Sequence, residues 1–189
     1  MKHHLLLSLS ILAVTSGQVL AQEKDIQPET LAVEAQISEG NHIYLMDMGI
    51  SGSSSIFVLN ADDLSLEGNM GAGTFSQMLM SADGQSIYTG SVYMKRYTRG
   101  PIEAVIEGYD PPAVNLRREF TVSDKMAQTL SQNGALNLSA DGKYMLVQNA
   151  TPATSINVVD LAAGKDLVEV PTPGCWTAYP ATEGLAFTT

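Results

Sequence analysis

The apolar residues of this chain fall into short runs separated by turn-forming residues, which is the pattern of an all-β protein. Three of the runs end in an Asn or Asp that begins a turn, at Asn60, Asp110 and Asp160. These three positions are fifty residues apart, twice. A fixed period of this length in a strand-rich sequence is typical of a β-propeller, in which each repeat forms one four-stranded blade.

The repeats share their turns as well, because residues 81–84 and 139–142 both read Ser-Ala-Asp-Gly and both precede the same type of strand. Asp-Gly favours a tight turn, since a positive φ costs Gly little and Asp tolerates it. The predicted strands are residues 43–47, 56–60, 65–70, 78–80, 87–89, 105–110, 116–122, 136–138, 144–147, 156–160 and 167–170. They make three blades, and residues 174–189 begin a fourth. The stretch 122–133 between blades has some helical character.

The domain organisation follows from these repeats. A propeller typically closes with four to eight blades, and about three are present, so we expect the chain to be the N-terminal part of a longer protein. We predict an N-terminal arm over residues 22–38 and a partial β-propeller domain over residues 39–189, truncated at its C-terminus.

The first 21 residues have the three-part layout of a secretory signal peptide. A short basic start is followed by an apolar run over residues 5–14 and by small residues before a cleavage site after Ala21. The apolar run spans ten residues, whereas a membrane span needs roughly twenty. The sequence therefore predicts export rather than anchoring, with a buried N-terminal helix as the alternative.

The charge of the chain limits its partners. The formal net charge is −10, and removal of the signal peptide takes away Lys2 and makes it −11. Such an acidic balance disfavours nucleic acid and anionic membrane surfaces as partners. We expect neither.

Residues that carry chemistry are sparse. His42 is the only histidine after the signal peptide, so the sequence predicts no histidine-rich metal site, no Ser-His-Asp set and no catalytic residue in this chain. Cys175 is the only cysteine and is either a free thiol or half of a disulfide whose partner lies elsewhere. The adjacent Trp176 is interpreted as a packed core residue rather than a modified cofactor.

One basic cluster differs from its acidic surroundings. Residues 95–100 read Lys-Arg-Tyr-Thr-Arg-Gly and lie in a predicted loop between two blade strands, where propellers present binding residues. Arg96 and Arg99 are therefore candidates for a subunit interface or a structural loop. A guanidinium can bind a carboxylate through two hydrogen bonds, and an internal salt bridge with a neighbouring blade is the open alternative.

Together these segments resemble the heavy subunit of the tryptophan-tryptophylquinone amine dehydrogenases, with the aromatic amine dehydrogenase branch the most similar. The strongest match is Gln-Asn-Ala-Thr-Pro-Ala-Thr-Ser-Ile at residues 148–156, which continues to Asp160 and Gly164. The other matching segments are Gly-Cys-Trp at 174–176, residues 96–100 with Val105, Glu107 and Asp110, and residues 43–47. They keep their order and similar intervals over residues 39–189.

The resemblance implies a periplasmic propeller that has seven blades in the full protein. It also implies that this chain holds no cofactor, because tryptophan tryptophylquinone forms in a separate light subunit of a heterotetramer with two heavy and two light chains. Such an enzyme converts primary amines to aldehyde and ammonia and passes electrons to an azurin- or amicyanin-like copper protein. The heavy subunit supports the light subunit and helps to shape substrate access.

For individual residues, the resemblance implies that Cys175 pairs with a cysteine beyond residue 189. It also makes Phe75 the candidate for the heavy-subunit phenylalanine that lines the substrate channel in this family. Two other readings remain open at this point: a stand-alone exported propeller that binds a ligand or protein without an enzymatic role, and a decayed gene product.

Overall fold

The structure is a computed structural model that describes residues 35–189. The predicted signal peptide and most of the predicted arm lie outside the described residues, so cleavage after Ala21 stays a prediction. The described residues contain 13 strands and no helix. The all-β prediction is therefore confirmed.

The strands form three successive antiparallel sheets and a short fourth sheet. Blade 1 consists of β1 (His42–Asp47), β2 (Ser54–Asn60) and β3 (Leu66–Ala72). Blade 2 consists of β4 (Thr74–Met80), β5 (Ile87–Met94), β6 (Ile102–Asp110) and β7 (Asn115–Val122). Blade 3 consists of β8 (Leu136–Leu138), β9 (Tyr144–Asn149), β10 (Ser155–Asp160) and β11 (Lys165–Pro171). The fourth sheet contains only β12 (Tyr179–Pro180) and β13 (Phe187–Thr188). This arrangement is that of a β-propeller fragment.

The fifty-residue period marks one structural position in each blade. Asn60, Asp110 and Asp160 are the last residues of β2, β6 and β10, the strands that precede the outermost strand of each blade. The pairing with that outermost strand carries a bulge directly after Val58, Gly108 and Val158, which are again fifty residues apart. The repeat in the sequence is therefore a repeat of backbone geometry, including its irregularities.

The two Ser-Ala-Asp-Gly turns adopt the same hydrogen-bonded structure. Ser81 and Ser139 each donate a hydroxyl hydrogen bond to the following Asp, at 2.6 and 2.7 Å. These bonds, together with backbone N–H groups, lower the pKa of Asp83 and of Asp141. The final glycines have φ of 68° and 69°, the left-handed conformation that Gly adopts at little cost. The turn prediction is confirmed in both blades.

The apolar core lies between neighbouring blades. Because alternate strand residues point to opposite faces, Ile106 of β6 faces blade 3 and packs in a cluster with Met145 and Val147. Tyr109 of the same strand faces the other way and packs with Ile56 of blade 1. Strand β6 is therefore buried on both faces.

The prediction of helical character for residues 122–133 is wrong. After β7 the segment forms turns and a loop that lies over the end of blade 3. The backbone N–H of Ala127 donates to Gln148 O at 2.9 Å, and that of Ala150 donates to Lys125 O at 3.0 Å. These hydrogen bonds to another part of the chain replace the local ones that a helix would require.

Candidate functional site

Phe75 lies at the start of β4, the strand at the inner edge of blade 2. Its φ is 52°, a left-handed conformation that is uncommon for any residue other than Gly and clusters at functional sites. The conformation is held by a hydrogen bond from the Phe75 N–H to Gly49 O, at 2.8 Å. Gly49 belongs to the β1–β2 loop of blade 1, so a contact between blades fixes this phenylalanine.

Gly73 links β2, β3 and β4 in the same region. It is the single residue between β3 and β4, and its carbonyl oxygen accepts three hydrogen bonds. The donors are the Ser54 N–H at 3.0 Å, the Ser54 hydroxyl at 2.7 Å and the Ser76 hydroxyl at 2.8 Å. The crossing from blade 1 to blade 2, two residues before Phe75, is therefore held by strands on both sides.

A buried carboxylate lies behind this crossing. Glu107 of β6 is 3% exposed and accepts hydrogen bonds from Thr89 at 2.7 Å, from Ser91 at 2.9 Å and from the Tyr93 hydroxyl. Among the described residues no cation lies within ion-pair distance of Glu107. Its hydrogen-bonding capacity is met by hydroxyl groups alone, which is the condition for burying such a group at tolerable cost.

The network extends from Glu107 to the inner strand. Ser91 Oγ is 2.8 Å from Ser76 Oγ, and Ser76 in turn donates to Gly73 O. Burial, followed by the hydrogen bond to Glu107, raises the pKa of Tyr93 well above its ordinary value. A continuous chain of polar contacts therefore connects the centre of blade 2 to the backbone that positions Phe75.

The basic cluster forms the β5–β6 loop at the same end of the sheets. Its backbone closes on itself, with the Lys95 N–H donating to Pro101 O at 3.1 Å and the Arg96 N–H to Arg99 O at 3.0 Å. Tyr97 has a φ of 62° and is 70% exposed. A Cβ added to Gly52 would lie 3.2 Å from the Tyr97 hydroxyl, so Tyr97 reaches over the β1–β2 loop.

The structure thus places the three residues singled out from the sequence at one end of blades 1 and 2. Phe75 bonds to Gly49 and Tyr97 lies against Gly52, so the β1–β2 loop connects Phe75 with the loop of Arg96 and Arg99. Both arginine side chains are exposed. Within residues 35–189 neither forms an ion pair, and the alternative of an internal salt bridge is therefore not observed there.

The remaining residues singled out from the sequence lie elsewhere. His42 Nε2 is 3.0 Å from Glu67 Oε2 and holds the start of β1 against β3. Trp176 is 47% exposed, so its interpretation as a packed core residue is wrong for this chain. Cys175 is a partly exposed free thiol in this structure, and its predicted disulfide stays a prediction. No group of three or more metal-ligating side chains occurs in the part of the chain that the structure describes.

The sequence did not single out Gly49, Gly73 or Glu107 as site residues. A glycine inside a strand is a general signal of close backbone approach, but Gly73 lies between β3 and β4 and outside the predicted strands, so that signal does not apply to it. Glu107 was noted only among the residues that carry the family resemblance, and its burial was not predicted, because an acidic residue in a strand normally marks a solvent-facing position. Among residues 35–189, no helix is long and apolar enough to cross a membrane.

Comparisons with known proteins agree with the residue pattern. A family model described as methylamine dehydrogenase heavy chain (MADH) matches residues 39–188. The chain is 23% identical over 144 residues to the methylamine dehydrogenase heavy chain of Methylobacillus flagellatus, covering 76% of this chain and 36% of that protein. It is 23% identical over 175 residues to the methylamine dehydrogenase heavy chain of Methylophilus methylotrophus, covering 92% of this chain and 43% of that protein.

The chain therefore spans less than half of the length of either curated relative. Among solved structures, it is similar to a functionally unknown protein from Desulfotomaculum acetoxidans, with a TM-score of 0.48 and 10% identity over 71% of this chain and 38% of the other. That similarity is too remote to carry an argument.

Proposed function

The chain belongs to the methylamine dehydrogenase heavy chain family, and on that premise we propose that it acts as the heavy subunit of an exported quinoprotein amine dehydrogenase. The observation that carries the proposal is the match of the family model to residues 39–188, which covers all three blades. In this proposal the chain is exported to the periplasm after cleavage at Ala21 and assembles with a light subunit into a heterotetramer of two heavy and two light chains.

The cofactor belongs to the light subunit in this proposal. Tryptophan tryptophylquinone is made from two tryptophans, whereas this chain contains one, Trp176. The quinone supplies the oxidising chemistry, so that a primary amine and water give an aldehyde, ammonia, two electrons and two protons. The electrons pass to an azurin- or amicyanin-like copper protein.

In this proposal the chain supports the light subunit and helps to shape substrate access. Phe75 is the candidate residue of the substrate channel, supported by its left-handed backbone at the inner strand of blade 2 and by the hydrogen bond that holds it. Arg96 and Arg99 are the candidates for contact with the light subunit, supported by their exposure in a loop that closes on its own backbone. A loop that is closed by its own backbone hydrogen bonds and presents exposed guanidinium groups suits the recognition of carboxylates on a partner.

The first test is assembly of the complex. The full-length heavy chain, co-expressed with its candidate light subunit, should co-purify and show a quinone absorption band that bleaches on adding methylamine or tyramine. A complex whose band no primary amine bleaches would contradict the amine dehydrogenase function. A heavy chain that purifies alone, with no light subunit bound, would favour the stand-alone propeller instead.

The second test addresses the basic loop. Double reversal, Arg96→Glu with Arg99→Glu, should weaken binding of the light subunit by about tenfold or more, because the reversed charges repel the groups that arginine attracts. The loss should shrink as salt is raised, since salt screens exposed charges. Binding is measured by titration at two salt concentrations.

Lys165→Glu is the matched control for that reversal. Lys165 is an exposed residue at the start of β11, next to the turn that follows Asp160. This turn lies at the opposite end of the sheets, because connections alternate between the two ends of an antiparallel sheet. If the double variant, the control and the unaltered protein bound the light subunit with equal affinity, the basic loop would not be part of the interface.

A further inference from the structure

The hydroxyl group of Ser54 joins two stretches of backbone at the crossing from blade 1 to blade 2. Ser54 is the first residue of β2 and is 1% exposed. Its Oγ accepts a hydrogen bond from the Gly49 N–H at 3.0 Å and donates one to Gly73 O at 2.7 Å. A serine hydroxyl can act as donor and acceptor at once, and here the protein uses both capacities.

The two stretches that Ser54 joins are the ones that hold Phe75. Gly49 O accepts the Phe75 N–H at 2.8 Å, and Gly73 lies two residues before Phe75 in the chain. A closed ring therefore runs from Ser54 through Gly49 to Phe75 and returns along the backbone to Gly73. Three hydrogen bonds and one short piece of chain make up this ring.

The left-handed backbone of Phe75 depends on support of this kind. A φ of 52° is a conformation that a phenylalanine keeps only where the surrounding contacts impose it. Once the ring opens, we expect the backbone of Phe75 to relax toward ordinary φ values. Because the Cα–Cβ bond turns with the backbone, this relaxation would move the phenyl ring.

The β1–β2 loop transmits the position of Ser54 to Phe75. A Cβ added to Gly49 would collide with the carbonyl oxygens of Gly52 and Ser53, so the loop folds directly against Gly49. Only a residue without a side chain allows such a close approach of backbone to backbone. The Gly49 carbonyl is therefore fixed relative to Ser54, and a shift at Ser54 reaches the Phe75 N–H.

The bond to Gly49 distinguishes Ser54 from its counterparts in the other blades. The fifty-residue period aligns Ser54 with Ala104 of blade 2 and Thr154 of blade 3. Thr154 repeats the bond to the carbonyl just after the outer strand, at 2.6 Å to Thr172 O, but within residues 35–189 it bonds no loop N–H. Ala104 has no hydroxyl. The bridge to Gly49 therefore belongs to this crossing and not to the propeller repeat.

We propose that Ser54 is a positioning residue for substrate access, and that its hydroxyl holds Phe75 where it contacts the entering amine. This role rests on the proposed function, in which Phe75 lines the route to the quinone of the light subunit. Ser54 is buried and acts on the reaction through Phe75. Loss of its hydroxyl should therefore weaken binding of the amine and leave the oxidation step unaltered.

Ser54→Ala, in the complex of the full-length heavy chain with its light subunit, tests this role. The KM for methylamine or tyramine should rise about tenfold while kcat stays within about twofold, the pattern of a lost binding contact. Ser54→Thr keeps the hydroxyl, in the residue type that blade 3 has at this position, and should keep the KM within about threefold. If alanine prevented assembly, Ser54→Cys would replace it, because a thiol bonds weakly. An unchanged KM without the hydroxyl would overturn the proposal.

Ser155→Ala is the matched control for a general loss of stability. Ser155 is 3% exposed, and its hydroxyl also makes two hydrogen bonds, accepting from Asn149 Nδ2 at 3.1 Å and donating to Glu169 Oε1 at 2.8 Å. These partners lie in blade 3, outside the ring that holds Phe75. The two alanine variants should melt within about 3 °C of each other, but Ser155→Ala should keep the KM within about twofold. An equal rise in KM for both would assign the effect to stability and contradict the role of Ser54.

Amide hydrogen exchange distinguishes failure of this role from failure of the proposed function, because it needs no amine oxidation. In the complex, the Phe75 amide should exchange at least about tenfold faster in Ser54→Ala than in Ser155→Ala, since its bond to Gly49 loses support. Equal exchange rates would show that Ser54 does not hold Phe75. Faster exchange in a complex that oxidises no amine would instead contradict the amine dehydrogenase function, and the access role with it, although Ser54 would still hold Phe75.

Discussion

Replacing Glu107 by alanine should lower the free energy of unfolding by about 3 kcal/mol or more. The glutamate is 3% exposed and accepts hydrogen bonds from Thr89, Ser91 and Tyr93. Its removal leaves the buried hydroxyl groups of Thr89 and Ser91 without their acceptor, and each unsatisfied buried group costs about 1–3 kcal/mol. A cavity between blades 1 and 2 adds to that loss. Chemical denaturation monitored by circular dichroism measures the change.

Two further variants decide whether the hydrogen bonds cause this loss. Glu119→Ala removes the residue opposite Glu107 on β7, which is exposed, and should change the free energy of unfolding by less than about 0.5 kcal/mol. Glu107→Gln keeps the shape and one acceptor oxygen and should cost less than the alanine variant. If the alanine variant were as stable as the Glu119 control, the network would not support blade 2.

The same network has a spectroscopic signature. Burial and then the hydrogen bond to Glu107 raise the pKa of Tyr93. Glu107→Gln removes the negative charge that opposes ionisation of the phenol, so the pKa of Tyr93 should fall toward its ordinary value while burial still holds it raised. Titration of tyrosine absorbance at alkaline pH follows this change and separates it from a general loss of stability.

The blade architecture could be predicted from the sequence because it is local and repeated. The strands that end at Asn60, Asp110 and Asp160, and the two Ser-Ala-Asp-Gly turns, depend on residues close together in the chain. The one element that was wrong, the helical character of residues 122–133, depends on partners far away. Its amides bond to the β8–β9 region of blade 3, and local propensity does not report such contacts.

The candidate site could likewise be predicted only where it depends on local sequence. Phe75 and the arginines of the β5–β6 loop could be singled out from residue type and loop position. The β1–β2 loop that connects them could not, because its contacts with Phe75 and Tyr97 join loops of different blades. The buried position of Glu107 could not be predicted for a related reason. Strand β6 is buried on both faces, so the usual meaning of an acidic strand residue does not apply to Glu107.

Replacing Gly73 by alanine should lower the free energy of unfolding by about 2–3 kcal/mol, because the added methyl group has no room. A Cβ at this position would lie 2.7 Å from Val92 O, 2.9 Å from Ser91 Cβ and 3.0 Å from Tyr93 Cε2. Two of these neighbours are backbone or Cβ atoms that cannot rotate away. The strain therefore falls on the crossing between β3 and β4, where the Gly73 carbonyl accepts three hydrogen bonds.

Gly71→Ala is the matched control for this substitution. Gly71 lies two residues earlier on β3, its φ is not positive, and an added Cβ would meet nothing within 4 Å. Alanine there should be neutral or stabilising by up to about 1 kcal/mol, since it restricts the unfolded chain. Equal effects of the two substitutions would show that the crossing tolerates the added methyl group.

The KM of the Gly73→Ala complex distinguishes a displacement of the crossing between β3 and β4 from a general loss of stability. Displacement of the crossing moves Phe75, whose N–H bond to Gly49 depends on the position of β4. If Phe75 shapes substrate access, the Gly73→Ala complex should show a KM for amines that rises about tenfold, while the quinone band of the light subunit is unchanged. Phe75→Ala should shift the KM without the loss of stability. If the Gly73→Ala complex were destabilised but kept the KM of the unaltered complex, Phe75 would have a structural role only.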